Sequence, residues 1–212
     1  MKHFFRTAGL VFALGVPLAA MAAAPAATPE SAPVSALDAG LLATMKAGSA
    51  GQSFAARYAA LDPVVKQTYN LPLVTQNSVG FSWATLPAAQ QKQLAALFEQ
   101  FTVASYVSQF KGEGAKFVLL PTEKSLGANK IVETQIVPAD GTAPTEIDYV
   151  VAQGPSGWQI TDVLLNGTIS QVAVHASDFS ALVSGGDASK LIAALQGKIT
   201  TLSGGALTPS GP

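Results

Sequence analysis

The stretch Pro87–Thr122 reads PAAQQKQLAALFEQFTVASYVSQFKGEGAKFVLLPT, and the fold turns on what changes within it. Leu94, Leu97, Phe98, Phe101 and Ser105 recur at helical spacing and share one face. Val103, Tyr106, Val107 and Phe110 fall on another, so the second half of a helix Pro87–Phe110 is apolar almost all round. Such a helix must be enclosed on most sides by protein or by something else apolar. From Lys111 the period switches from about 3.6 to about 2. Lys111-Gly112-Glu113-Gly114 makes a turn, and Ala115–Thr122 reads as a strand.

Downstream, Ile131–Val137, Thr145–Ala152 and Trp158–Leu165 are further strands, separated by Gly127-Ala128-Asn129, Asp140-Gly141 and Gly154-Pro155-Ser156-Gly157. Asn166-Gly167 ends the sheet. Helical spacing returns over Ile169–Val183, and Asp187 caps a last helix bearing Leu191, Ile192, Leu195 and Ile199. Upstream, helices are predicted around Leu37–Met45, over Phe54–Leu61, restarting at Asp62-Pro63, and from Leu71-Pro72 to Ser78. The order predicts an α+β domain: N-terminal helices, a four-stranded antiparallel meander, and C-terminal helices packed on one sheet face.

The ends differ from this middle. Lys2, His3 and Arg6 precede an apolar run from Ala8 to Ala20, followed by small residues through Ala24. That pattern predicts a signal peptide over residues 1–24, cleaved near 22–24, and hence export. Pro17 interrupts the run too early for a membrane helix. Residues 25–34 read as an Ala/Pro-rich leader, 35–202 as one domain, and 203–212 as a loose tail.

Composition narrows the chemistry. Among 212 residues, 49% are apolar and 12% charged, about half the usual charged share. Twelve basic against thirteen acidic residues offer no basic face for nucleic acid. Cysteine is absent, which removes disulfides, thiolate metal sites, a cysteine nucleophile and a lipidated-cysteine anchor. Neither phosphate-cradling loops nor calcium-loop spacing occur, so no cofactor and no metal are implied. After signal removal His175 is the sole histidine; it lacks a G-x-S-x-G partner motif and reads as a surface or structural residue.

One enzymatic alternative uses a carboxylate and a tyrosine in a greasy α+β cone, with Asp148, Asp162, Tyr106 and Tyr149 as the pieces. Asp148 alternates away from Tyr149. Asp162 shares a strand face with Trp158, Ile160 and Leu164, and reads as a hydrogen-bonded pin at the sheet edge. Trp83, Phe98, Phe101, Tyr149 and Trp158 are each ordinary core when taken singly. Together with low charge and an export signal they also fit a greasy cavity. A non-binding envelope adaptor with a filled interior is the remaining alternative.

From Tyr69 to Leu202 the chain resembles the exported MlaC-like proteins, also called the toluene-tolerance (Ttg2D) family. Tyr69-Asn70-Leu71-Pro72 is similar to their Phe-Asp-Leu-Pro, and Gly80-Phe81-Ser82-Trp83-Ala84-Thr85-Leu86 with Gln90-Gln91 to their Gly-x-x-Trp-x-x-Leu and glutamine-rich helix start. Asp148-Tyr149, Gly157–Val163, Gly167–Ser170 and Ser177-Asp178-Phe179 resemble later signatures. Met45-Lys46 and Arg57-Tyr58-x-x-Leu61-x-Pro63 are closest to the hopanoid-associated HpnM branch. Two departures stand out: Ala176 where an Arg is usual, and Pro87 where a Ser is usual.

The resemblance implies a cone-shaped domain around an apolar cavity and a periplasmic lipid shuttle with no catalytic step. Its implied partners are a membrane lipid (phospholipid or hopanoid), an inner-membrane ABC or RND-type transporter, and an outer-membrane lipoprotein complex. Tail contacts are expected from Val79, Trp83, Leu94, Phe98, Phe101, Tyr106, Ile147, Tyr149, Trp158, Ile160 and Phe179. Two 16-carbon chains carry roughly 25 kcal/mol of exposure cost in water, which favours an enclosed cavity over a surface groove.

Overall fold

The computed structural model describes residues 28–112, 114–209 and 211. The expected signal peptide and its cleavage site lie outside the described residues. The first helix, α1 (Ala32–Ser49), begins inside the stretch expected to be an unpacked leader. Pro33 sits in its first turn, where a missing N–H costs nothing, and the apolar stripe Leu37–Leu41–Met45 extends back to a buried Val34.

Helix α2 (Phe54–Thr68) runs straight through Asp62-Pro63, where a restart is predicted. Pro63 leaves the Ala59 carbonyl without its helical donor, but Ala59 is exposed and water can take that bond. Asp62 pairs with Lys66 at 2.9 Å rather than capping a new helix, and Lys66 also reaches Glu99, at 2.9 Å. Helix α3 (Leu71–Val79) is capped by Asn70, whose Oδ1 accepts from Leu73 N at 3.2 Å. A 3₁₀ turn, Gly80–Thr85, then leads into α4 (Ala88–Gln109). Gly80 opens that turn at φ 70°, ψ −145°, a conformation that an L side chain would strain.

The sheet is antiparallel throughout, in the order β1 (Ala115–Leu126), β2 (Asn129–Pro138), β3 (Thr145–Gly154), β4 (Gly157–Leu165), β5 (Ile169–Ser170). The fifth strand corrects the expectation that Asn166-Gly167 ends the sheet. Asn166, at φ 52°, turns the chain back so that Ile169 pairs with Leu165 and Ser170 with Leu164. In β1 the register slips between Leu119 and Glu123, around Pro121, which cannot donate to the ladder. The strand resumes and runs on to Leu126, past the predicted end at Thr122.

A second slip matters more. Val150 pairs with Asp162 but Val151 pairs with Ile160, so Thr161 is an extra residue in β4. The phase flips there. Val163 and Leu165, opposite Tyr149 and Ile147, share the inner face, instead of the predicted continuation through Asp162 and Leu164.

Helix α5 (Gln171–Ser180) starts later than predicted because Ile169 and Ser170 are already strand. Helix α6 (Ser189–Ser203) follows Asp187, whose Oδ1 accepts from Ser189 N at 3.0 Å. Beyond it the chain is not loose as far as Leu207. Gly204 closes the helix in a left-handed conformation, and Leu207 returns to pack on the core. No helix among the described residues is long and apolar enough to cross a membrane.

Two glycines test this packing. A Cβ on Gly48 of α1 would lie 2.2 Å from the Lys111 carbonyl oxygen, whereas one on Gly197 of α6 would meet nothing. Gly48→Ala is expected to lower stability by about 1–3 kcal/mol. Gly197→Ala is expected to raise it by about 0.5–1 kcal/mol. Urea unfolding of both variants checks the pair, and equal shifts would contradict the packing described.

Candidate functional site

The inner sheet face and α4 do not close on each other. Between them lies a cavity of about 410 Å³, within the roughly 300–1,000 Å³ usual for ligand pockets. Phe98, Phe101, Ser105 and Tyr106 of α4 form one wall, and Ile136, Ile147, Tyr149, Val163 and Leu165 form the sheet wall. Val172 and His175 of α5 form a third side, with Tyr69, which ends α2, and Val74 of α3. At its C-terminal end α4 meets the sheet, where the Phe110 and Phe117 rings lie 5.5 Å apart. No lysine or arginine lines the hollow among the described residues. Its walls therefore suit hydrocarbon and offer no cation to a phosphate.

What keeps α4 away from the sheet is its attachment on the opposite side. Leu94 and Leu97 are fully buried, and α4 packs against α6, whose inward face is Leu191, Leu195 and Ile199. Buried Arg57 donates from Nη1 to the Val107 carbonyl at 3.0 Å, satisfying an acceptor in the last turn. At the other end Gln91 Nε2 donates to the Trp83 and Leu86 carbonyls at 2.8 and 3.2 Å. Gln90 bridges to α6, accepting from Ala188 N at 2.9 Å and donating to Asp187 Oδ1 at 2.7 Å.

Of the predicted tail contacts, the structure brings Phe98, Phe101, Tyr106, Ile147 and Tyr149 together on the cavity wall. The others lie elsewhere. Leu94 faces the helical core, and Val79 is buried at the end of α3. Trp83 lies in the 3₁₀ turn, in the glutamine clasp. Ile160 is fully buried beside Tyr69, to which it bridges, and Trp158 packs against the same core. Phe179 stacks on His175 at 5.3 Å, behind the lining.

His175, expected to be a surface or structural residue, lines the cavity. It sits edge-on to Phe98 and Phe101 at 5.6 and 5.8 Å, and burial lowers its pKa, so a neutral ring completes an aromatic corner. No sequence signal marked it, because its partners come from α4.

The two carboxylates of the enzymatic alternative are far from equivalent. Asp148 pairs with Glu133 in register on the sheet face opposite Tyr149, and burial raises its pKa. Asp162 borders the cavity, but its carboxylate is engaged as the predicted pin. Oδ1 accepts from Val163 N and Val172 N at 2.7 and 3.1 Å, and Oδ2 from Ser170 Oγ at 2.5 Å. It serves as a cap that fixes the start of α5.

A second polar cluster adds Tyr69 and Asp38 to Tyr106 and Tyr149, the two tyrosines of the enzymatic alternative. Tyr69 and Tyr106 share a hydroxyl–hydroxyl hydrogen bond, Tyr149 is close by, and Asp38 of α1 acts electrostatically on all three. Asp38 Oδ1 is buried without a partner. Burial pushes its carboxyl up to about 7, and pushes the Tyr106 hydroxyl up to about 12. The signal was present: position 38 falls within the stripe Val34–Leu37–Leu41–Met45, where a charge is out of place.

The sequence model of the MlaC protein family matches residues 36–197. Among solved structures, a phospholipid-binding protein from Ralstonia solanacearum, in complex with a phospholipid at 1.53 Å, superposes with a TM-score of 0.69. The two are 18% identical, over 82% of this chain and 98% of that one. At this identity the likeness is one of fold. No curated protein matches the sequence significantly.

The buried acid gives a pH signature. A carboxyl that holds its proton more tightly when folded contributes most below its unfolded pKa, near 3.8, and loses that contribution as pH rises to about 7. The span corresponds to about 4 kcal/mol. Asp38→Asn is expected to match the parent protein near pH 4 and to exceed it in thermal midpoint at pH 8. Parallel stability curves between those values would contradict this.

Proposed function

The chain belongs to the MlaC protein family, and we propose that it is a lipid-binding carrier that shields hydrocarbon between membranes and performs no chemistry on it. The observation that carries the reading is the cavity between α4 and the sheet, walled mostly by aromatic and aliphatic side chains, with no lysine or arginine among the described residues. The fold it shares with a phospholipid-binding protein supports the same reading. A methylene occupies about the volume of a water molecule, roughly 30 Å³, so the hollow suits on the order of one acyl chain. Withdrawing a 16-carbon chain from water is worth about 12 kcal/mol, enough to make enclosed transit favourable over a free lipid.

The working location is the periplasm, reached by an N-terminal signal peptide. The partners are a membrane lipid, an inner-membrane ABC or RND-type transporter and an outer-membrane lipoprotein complex. Both phospholipid and hopanoid remain candidate cargoes. Head groups stay in water, beside half-buried polar lining residues such as Gln171 and Thr102.

Native mass spectrometry of gently purified protein is expected to find a lipid adduct that solvent extraction releases; recovery of the bare polypeptide alone, repeatedly, contradicts the proposal. Phe101→Asp separates cavity from core. Phe101 is half-buried on the wall, so the variant is expected to lose at least about tenfold in loading while keeping most of its stability. Equal loss of both would mark Phe101 as plain packing.

A further inference from the structure

One end of the cavity is chemically unlike the rest. The tyrosines there, Tyr69 and Tyr149, are 4% and 3% exposed, and both line the hollow together with Tyr106. Three phenols bring three hydroxyl protons, each of which seeks an acceptor when buried. The Tyr69–Tyr106 bond uses one of them. Among the described residues the Tyr149 hydroxyl has no hydrogen-bond partner, and the second proton of the Tyr69–Tyr106 pair has none either.

A saturated hydrocarbon tail would leave all these groups unsatisfied, at a cost that native interiors rarely carry. A ligand oxygen placed there would satisfy them, since an alcohol both accepts and donates. Resting on the lipid-carrier reading, we infer that the tyrosine end of the cavity is a hydroxyl-recognising subsite. It selects an amphiphile whose buried end carries an alcohol or similar oxygen over one ending in plain hydrocarbon.

The class of ligand is thus an apolar body of about one chain's volume with polar groups at both ends. Its inner oxygen lies against Tyr149 and the Tyr69–Tyr106 pair, and its other polar end stays in water. The site gains selectivity because a pocket built to bond a hydroxyl penalises the analogue that lacks it.

The test compares ω-hydroxy fatty acids of about 10 to 16 carbons, lengths bracketing the single-chain volume, with their plain counterparts, by isothermal titration on delipidated full-length protein. A hydroxyl buried without a partner would weaken binding on the order of ten- to a hundred-fold. The inference instead expects the hydroxy acid to bind about tenfold tighter at one or more lengths. Tyr149→Phe, which keeps the ring and the native circular dichroism, is expected to abolish that preference, chiefly by weakening the hydroxy acid relative to the plain one. Tyr106→Phe is expected to weaken the preference in the same way.

Plain acids binding as well as or better than hydroxy acids at every length would overturn the subsite while leaving the carrier reading intact. A preference that survives Tyr149→Phe and Tyr106→Phe would overturn the assignment to these tyrosines. Failure of every probe to bind would overturn the carrier reading and the subsite together.

Discussion

The structure depends on α4 being held from behind. Its Leu94 and Leu97 are buried in the helical layer, Arg57 ties down its C-terminal turn, and Gln90 and Gln91 clasp its N-terminal end. A helix apolar on nearly every side would otherwise collapse onto the sheet, since burial is the dominant drive in folding. With α4 anchored on its far side, the face bearing Phe98, Phe101 and Tyr106 is left looking across a gap at Tyr149 and Ile147. The hollow is a consequence of that anchoring, and the proposed function is a consequence of the hollow.

Much of this was legible because period and turn chemistry are local. The switch at Lys111 located both the long helix and the sheet, and the helix boundaries at Pro87 and Phe110 agree with α4 to within a residue. Failures cluster where non-local pairing overrides the local pattern. Pro63 does not break α2, because the face it disturbs is solvent-exposed. The extra residue at Thr161 inverts which of its neighbours face inward, and alternation alone cannot register an insertion. The two-residue β5 is stabilised by its partner strand and has no pattern of its own.

The site was half visible for the same reason. Apolar residues on α4 and β3 could be assigned to an inner face, but inner face includes both core and cavity wall. Leu94 and Phe98 lie four residues apart on one helix, yet only Phe98 reaches the hollow. The Gly80–Leu86 motif and the glutamines after it carry the family likeness without touching the cavity; they position α4 instead. His175 and Asp38 take their significance from rings contributed by other elements, which no spacing along a single helix can reveal.

The central claim is that hydrocarbon occupies the space between α4 and the inner sheet face. A crystal structure of the protein loaded with a lipid brominated along its acyl chain, collected at the bromine edge, addresses it most directly. The account predicts anomalous peaks inside the hollow, between Phe101 and the Tyr149 strand, with the head group in water beside Gln171. Bromine found only on the outer surface, with the interior closed by α4 against the sheet, would contradict it.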